Sequence, residues 1–212
     1  MIRNMVFDMG GVLFSYNPPA FVRKYCQNPD DAELINRELF GAPEWEQMDR
    51  GTMTDQAYLA TVLPRIPEHL RTVAVYLFEH WHEMPRPFPE MERLIHALKE
   101  SGYRIYLLSN MSTRFYRFYQ NIPAMRWFDG MIVSSDVHLL KPEPEIYCCL
   151  FRRFGLVPEE CFFLDDRLEN VRAGEELGIK GFLFQRDYSA LADAFHAAGI
   201  VFNKNIADFG KI

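Results

Sequence analysis

In the stretch MVFDMGGVLF one carboxylate, Asp8, closes an apolar run, and Gly10 and Gly11 leave the next turn almost without side chains. Asp8 taken alone reads as a turn or helix-capping residue. Gly10 and Gly11 permit positive φ and let backbone N–H groups approach an anion closely. Ser109 and Asn110 end another apolar run just ahead of a helix. They are either an N-cap or a hydroxyl and backbone amides presented to a phosphate. Lys141, in LLKPEPEIY, is either a solvated charge or a point charge turned inward by Leu139, Leu140 and Pro142 to meet phosphate oxygens. FFLDDRLEN carries the strongest signal. Asp165 and Asp166 are consecutive, and like charges that close repel and raise one pKa unless a cation offsets them. A hard divalent ion, Mg2+, fits carboxylates supplemented by phosphate and water. Helix capping accounts for one of the two aspartates but not comfortably for both. Asn170, one turn onward, is placed to orient them.

These residues need elements that bring them to one place. Residues 2–8 (IRNMVFD) read as a buried strand. From residue 17 to about residue 84 every periodic segment reads as helix. DDAELINRELFG is acidic at its front and closes on Gly41. TDQAYLATVLPRI starts at the N-cap Thr54, and PEHLRTVAVYLFEHWHEM has proline in its first turn. PRPFPE, with three prolines in six residues, reads as a stiff hinge. Beyond it helix and strand alternate. The helices are MERLIHALKESG, STRFYRFYQ, PEIYCCLFRRFG, LENVRAGEELG and YSALADAFHAAG; the strands are YRIYLLS, GMIVSS, CFFLD and GFLF. Short apolar strands between amphipathic helices imply an α/β fold, a Rossmann-like parallel sheet covered by helices on both faces, with an inserted all-helical cap. The expected division is a core of residues 1–16 and 87–212 and a cap of residues 17–86. In such sheets the ligand crevice lies at the carboxyl ends of the strands, where the four chemical stretches fall.

Composition narrows the function classes. The 212 residues are 49% hydrophobic, enough for a filled core and too apolar for disorder. A net charge of −6 argues against a nucleic-acid surface, and the local pair Arg152–Arg153 reads as a solvated helix face. No segment has the length and apolarity to span a bilayer, and MIRNMVF lacks the apolar region and cleavage site of a signal peptide. The four cysteines (26, 148, 149 and 161) form no C-x-x-C pair and read as reduced thiols of a cytoplasmic protein.

The order and spacing of FDMGGVL, LLSN, KPEPEIY and FFLDDRLEN resemble the four motifs of the haloacid dehalogenase superfamily of phosphohydrolases, over nearly all of residues 1–185. Within it the chain looks most like phosphatases of small sugar phosphates, including glucose-1-phosphate phosphatase, and like the phosphatase domain of soluble epoxide hydrolases. The resemblance implies Asp8 as nucleophile, forming an aspartyl-phosphate that water cleaves. It implies Mg2+ held by Asp8, the backbone carbonyl of Gly10 and Asp166, with Asp165 and Asn170 behind them. Ser109, Asn110, Lys141, Met9 and Gly10 would surround the phosphate, with Ser109 and Lys141 gaining strength in the transition state.

The chain departs from that pattern at Gly10, where most relatives of this group carry a second aspartate as general acid and base. Loss of such a group typically costs about 10²–10⁴ in rate. An anomeric sugar hydroxyl is a leaving group that suffers less, and the glucose-phosphate phosphatases resemble this chain in having glycine there. His138 stands where glycine is frequent before the motif lysine. Glu44, Glu46, Asp49, His80 and His82 are cap residues able to replace the acid, and each reads equally as a solvated helix face. Trp45 and Tyr16 either line a pocket or pack the cap. The expected function is Mg2+-dependent hydrolysis of a small phosphorylated metabolite, a sugar phosphate, by a monomer or homodimer without nucleic-acid or membrane partners. The alternatives are a phosphometabolite-binding protein that has lost turnover and a metal-free haloacid dehalogenase, which the acidic pair disfavours. A phosphomutase ranks below both, because it needs the absent acid twice per cycle.

Overall fold

The computed structural model describes residues 1–201; the end of the expected core, residues 202–212, lies outside the described residues. The strands are β1 (Asn4–Phe7), β2 (Phe14–Ser15), β3 (Arg86–Pro87), β4 (Arg104–Ser109), β5 (Gly130–Val133), β6 (Cys161–Asp165) and β7 (Lys180–Leu183). Five of them form one sheet in the order β5-β4-β1-β6-β7, every neighbouring pair parallel. The chain builds outward from β1 on one side, then returns to its other side with β6. That reversal opens a crevice between the carboxyl ends of β1 and β6.

Alternation along the strands explains why both faces are covered. Met5, Phe7, Ile105, Leu107, Phe162 and Leu164 pack on one face with Leu94, Ile95 and Leu98 of the helix Pro89–Glu100 and with Leu191 and Phe195 of Tyr188–Ala197. Val6, flanked in register by Tyr106 and Phe163, points to the other face, against Ile146, Tyr147 and Leu150 of the helix Pro144–Phe154. Period two in the strands thus meets period 3.6 in the helices.

Between β2 and β3 the chain is helical: Pro18–Val22, Pro29–Ile35, Trp45–Asp49, Asp55–Val62 and Glu68–His80. Thr54 caps as the sequence predicts, its hydroxyl accepting from the Ala57 N–H at 3.2 Å. Pro67 occupies the N-cap rather than the first turn, and Asn36–Phe40 widens into a π-turn before Gly41. The proline-rich PRPFPE does more than punctuate. Arg86 and Pro87 pair antiparallel with Ser15 and Phe14, tying exit to entry, and Pro89 opens the next helix.

Two local expectations are corrected. STRFYRFYQ forms no α-helix; residues Thr113–Arg117, Tyr119–Asn121 and Pro123–Trp127 make successive 3-10 turns. Its aromatic residues are mediocre helix formers, and Phe118 breaks the run at φ −136° to reach Phe14 and Trp81 edge-on. In GMIVSS the strand stops at Val133, and Ser134–Val137 form a short helical turn. All four cysteines are free thiols, Cys26 and Cys161 buried and Cys148 and Cys149 half-buried.

The helical segment is seated on the sheet rather than loosely tethered. Arg114, buried after β4, lays its guanidinium 3.7 Å from the Phe78 ring centroid and donates to Asp55 at 3.0 Å. Arg50 forms a two-pronged ion pair with Glu143, and its carbonyl lies 3.0 Å from His138 Nδ1. Gly51, at φ +74°, presses so close that a Cβ there would lie 2.4 Å from the Ser135 carbonyl oxygen. Gly51→Ala is therefore expected to destabilise by roughly 2–3 kcal/mol in urea unfolding. Gly102→Ala, at φ +89° but facing open space, is expected to cost only about 1 kcal/mol. Equal losses would contradict tight seating at Gly51.

Candidate active site

The four chemical stretches converge at the carboxyl edge of the sheet. Asp8 follows β1 directly, its N–H donating to Leu164 O at 2.8 Å, so that Asp8 and the end of β6 are held side by side. Lys141 Nζ, almost fully buried, donates to Asp8 Oδ1 at 2.6 Å and to Asp165 Oδ2 at 2.6 Å. Asn110 holds the lysine's main chain through paired bonds, Nδ2 to Lys141 O and Lys141 N–H to Oδ1, both 2.8 Å. Asn110 thus spends its side chain on positioning Lys141. Asn170 Nδ2 donates to both oxygens of Asp165, at 3.0 and 3.1 Å, and the Arg167 N–H donates to Oδ1 at 2.9 Å. The Tyr147 hydroxyl fixes Asn170 through its carbonyl at 2.7 Å.

These bonds separate the twin acids. Asp165 is fully buried, each of its oxygens already occupied, whereas Asp166 is exposed toward the crevice. Each of Asp8, Asp165 and Asp166 offers an oxygen within 4.8 Å of the others. Burial pushes the Asp8 carboxyl up to about 7, with Lys141 pulling down against it and Asp165 adding to the rise. Burial and then Asp165 also raise Asp166. Burial disfavours the Lys141 ammonium, but its two carboxylates outweigh this and leave its pKa raised. Lys141 bridges Asp8 and Asp165, so three neighbouring carboxylates share one ammonium. That donor set, hard, anionic and partly open, fits a divalent cation.

Gly11 explains part of the fit. At φ +71° it turns the chain under Asp166, and a Cβ there would lie 2.3 Å from Asp166 Oδ2. Gly10 is different: a Cβ would meet nothing within 4 Å. His138, the other departure from the motif pattern, adopts the left-handed conformation at φ 58° and ψ 29° that glycine supplies more readily.

Above these residues lies a cavity of about 550 Å3. Its floor includes Asp8, Gly10, Gly11, Ser109, Asn110, Lys141 and Asp166, and its roof comes from the helical segment through Trp45, Glu46, Asp49 and Trp81. Met9 does not line it: the side chain is in the core, and only the backbone reaches Asp8. Tyr16 and Trp45 line the cavity and also pack, Tyr16 against Trp81 and Trp45 against Tyr58, Phe78 and Trp81. Phe14 and Trp81 are wall residues that the sequence did not single out, because an aromatic in an apolar run carries the same pattern whether it faces core or cavity. The Arg50–Glu143 clamp joins residues 93 apart and has no local signal.

A parallel sheet with an acidic, lysine-bridged edge thus lies under a helical roof in an α/β fold. The chain matches the haloacid dehalogenase-like hydrolase family over residues 2–178 and belongs to it. It is 29% identical to a sesquiterpene phosphatase of Aspergillus oryzae over 83% of this chain and 86% of that one. It is 24% identical to a D-ribitol-5-phosphate phosphatase of Bacteroides thetaiotaomicron, over 86% and 91%. A haloacid dehalogenase family enzyme of the same bacterium, solved as a magnesium complex, shares the fold with a TM-score of 0.68 at 24% identity, over 90% of this chain and 98% of that one. Among the described residues no helix is long and apolar enough to cross a membrane.

Removing Lys141 leaves two buried carboxylates facing each other. Lys141→Ala is expected to cost about 3–5 kcal/mol in chelator-containing buffer, measured by urea unfolding. Asp49 gives a second expectation. Burial pushes its carboxyl up to about 7; the Ser112 backbone lowers it, Glu46 raises it, and Tyr16 and Tyr58 face it uncharged. An acid whose folded pKa is raised costs the native state stability as pH climbs from about 4 to about 7. The melting temperature of Asp49→Asn relative to wild type should therefore rise between pH 5 and pH 8; a flat difference would contradict the raised carboxyl of Asp49.

Proposed function

We propose that the protein is a Mg2+-dependent phosphomonoester hydrolase acting on a small phosphorylated metabolite, a sugar phosphate, through an aspartyl-phosphate on Asp8. The observation that carries this reading is Lys141 bridging Asp8 and Asp165 beside an exposed Asp166. Asp8, the Gly10 carbonyl and Asp166 would hold the ion. When bound, Mg2+ offsets repulsion between the carboxylates and a phosphate dianion.

The chain's own groups supply the rest. Lys141 aims the Asp8 carboxylate and offers positive charge to the phosphoryl oxygens as the transition state develops. The Ser109 hydroxyl and the amides after it are poised as neutral donors to the same oxygens. Asp8 attacks phosphorus in line, and water later cleaves the resulting acyl phosphate. Asp165, saturated by Lys141, Asn170 and Arg167, keeps the lysine charged and turned inward. The helical segment, residues 17–86, serves as the cap that excludes water and contacts the alcohol part of the substrate.

The aromatic half of the cavity fits the C–H face of a sugar. Phe14, Tyr16, Trp45 and Trp81 also favour a second reading, a monophosphate with an apolar tail, in keeping with the sesquiterpene phosphatase among the relatives. Both readings predict phosphate release from some member of a panel of sugar, polyol and prenyl monophosphates with Mg2+. Asp8→Asn and chelation should each remove turnover. Release that survives Asp8→Asn without metal would rule the mechanism out, and saturable binding without release across the panel would favour a binding protein.

A further inference from the structure

Gly10 removes the acid from the position beside the nucleophile, yet the space it would fill is left open to the cavity. Five cap residues are chemically able to replace it, and their surroundings separate them. Glu44 is tied to Arg65, which holds its carboxyl below the usual range. Glu46 is exposed at the cavity rim, 3.6 Å from Arg50. His80 is stacked on Tyr76, and its Nδ1 lies 2.8 Å from the Tyr76 carbonyl. His82 borders a different cavity, with Pro85 and Phe118. Asp49 alone among the five both lines the cavity above Asp8 and Gly10 and keeps a carboxylate oxygen out of solvent there: the residue is half-buried, and Oδ1 is shielded and lacks a hydrogen-bond partner.

Its position is fixed from the core side. The Ser134 hydroxyl donates to the Asp49 carbonyl, and the same hydroxyl accepts from the Met111 N–H at 2.8 Å, just beyond Ser109 and Asn110. The next residue, Arg50, is clamped to Glu143, two residues past Lys141. The Asp49 main chain is thus referenced to two of the loops that would hold the phosphate, a precision that a solvated helix face does not require.

We propose that Asp49 is the general acid and base of the reaction, taking over from the cap the role left open at Gly10. The proposal rests on the phosphatase reading of the site. In the first step an Asp8 oxygen bonds to phosphorus as the bond to the leaving oxygen breaks; that oxygen keeps the electron pair and takes the proton of Asp49. In the second, water attacks phosphorus and gives its proton to the Asp49 carboxylate. The bond between phosphorus and the Asp8 oxygen breaks, returning Asp8 as carboxylate and releasing phosphate. Burial, which pushes Asp49 up to about 7, suits a group that must be both acid and base at neutral pH.

The test is leaving-group dependence. The full chain, with Mg2+, is assayed on aryl phosphates of similar shape from p-nitrophenyl to p-methoxyphenyl phosphate. The p-nitrophenolate leaves without a proton, whereas the p-methoxy leaving group needs one. Asp49→Asn should lower kcat/KM for the p-methoxyphenyl ester by about 10²-fold or more, and for the p-nitrophenyl ester far less. Adding Gly10→Asp to Asp49→Asn should restore the shallow dependence, because the new side chain enters open space. A uniform loss across the series, or no loss, would overturn the role of Asp49 while leaving the phosphatase reading intact. Wild-type protein that releases no phosphate from any member, or from the metabolite panel, would overturn both.

Discussion

The ammonium of Lys141, buried between the carboxylates of Asp8 and Asp165, is the interaction on which the rest of the site depends. Two carboxylates brought from different strands into a dry edge repel by several kcal/mol unless a cation lies between them. The lysine supplies that charge from a third loop, and everything nearby limits how it can move. Asn110 grips its backbone, while Asn170 and the Arg167 amide occupy the remaining capacity of Asp165. The lysine is thereby held on Asp8 and Asp165, while Asp166 stays exposed to the crevice.

That arrangement leaves a deliberate imbalance. One cation serves three acids, and the carboxyls of Asp8 and Asp166 are both raised. Under the proposed function a divalent metal ion would offset the excess negative charge of the acids, leaving the lysine to meet the phosphoryl oxygens of the ester. A site of this kind is unstable by itself in proportion to its readiness to bind. The surrounding sheet, with Phe7, Leu107 and Leu164 fully buried beneath it, supplies the rigidity that keeps the charges in place.

The helical segment belongs to the same economy of position. It shares one continuous apolar cluster with the sheet face beneath it, and polar clamps fasten it near the loops after β4 and β5: Arg114 to Asp55, Arg50 to Glu143, Ser134 to the Asp49 carbonyl. A roof held this way can place a reacting group as accurately as the floor does. Under the proposed role of Asp49, the reacting groups would come from the roof as well as from the strand ends, and Gly10 would be compatible with turnover.

Much of this was fixed by local pattern. Short apolar runs ending in Asp8, Ser109 and Asp165, alternating with amphipathic helices, allow few packings besides a parallel sheet with those residues at one edge. The proline that stiffens the Lys141 loop and the doubled aspartate are also local features, as are the Thr54 cap and the glycine turn under Asp166. What needed the tertiary structure was every choice between chemically equal candidates. Five acids and imidazoles of the cap look alike as a string; a place in the cavity wall, a shielded and unpartnered oxygen and a clamp between residues 50 and 143 distinguish Asp49 from the others. The two adjacent aspartates differ only because Lys141 and Asn170, one of them 24 residues away, occupy Asp165 and leave Asp166 open. STRFYRFYQ falls where an alternating α/β pattern calls for a helix, but its Phe118 is drawn into packing with Phe14 and Trp81, from distant parts of the chain. Hydrophobic period and turn chemistry act over a few residues, whereas burial, charge compensation and cavity shape are set by which distant groups arrive nearby.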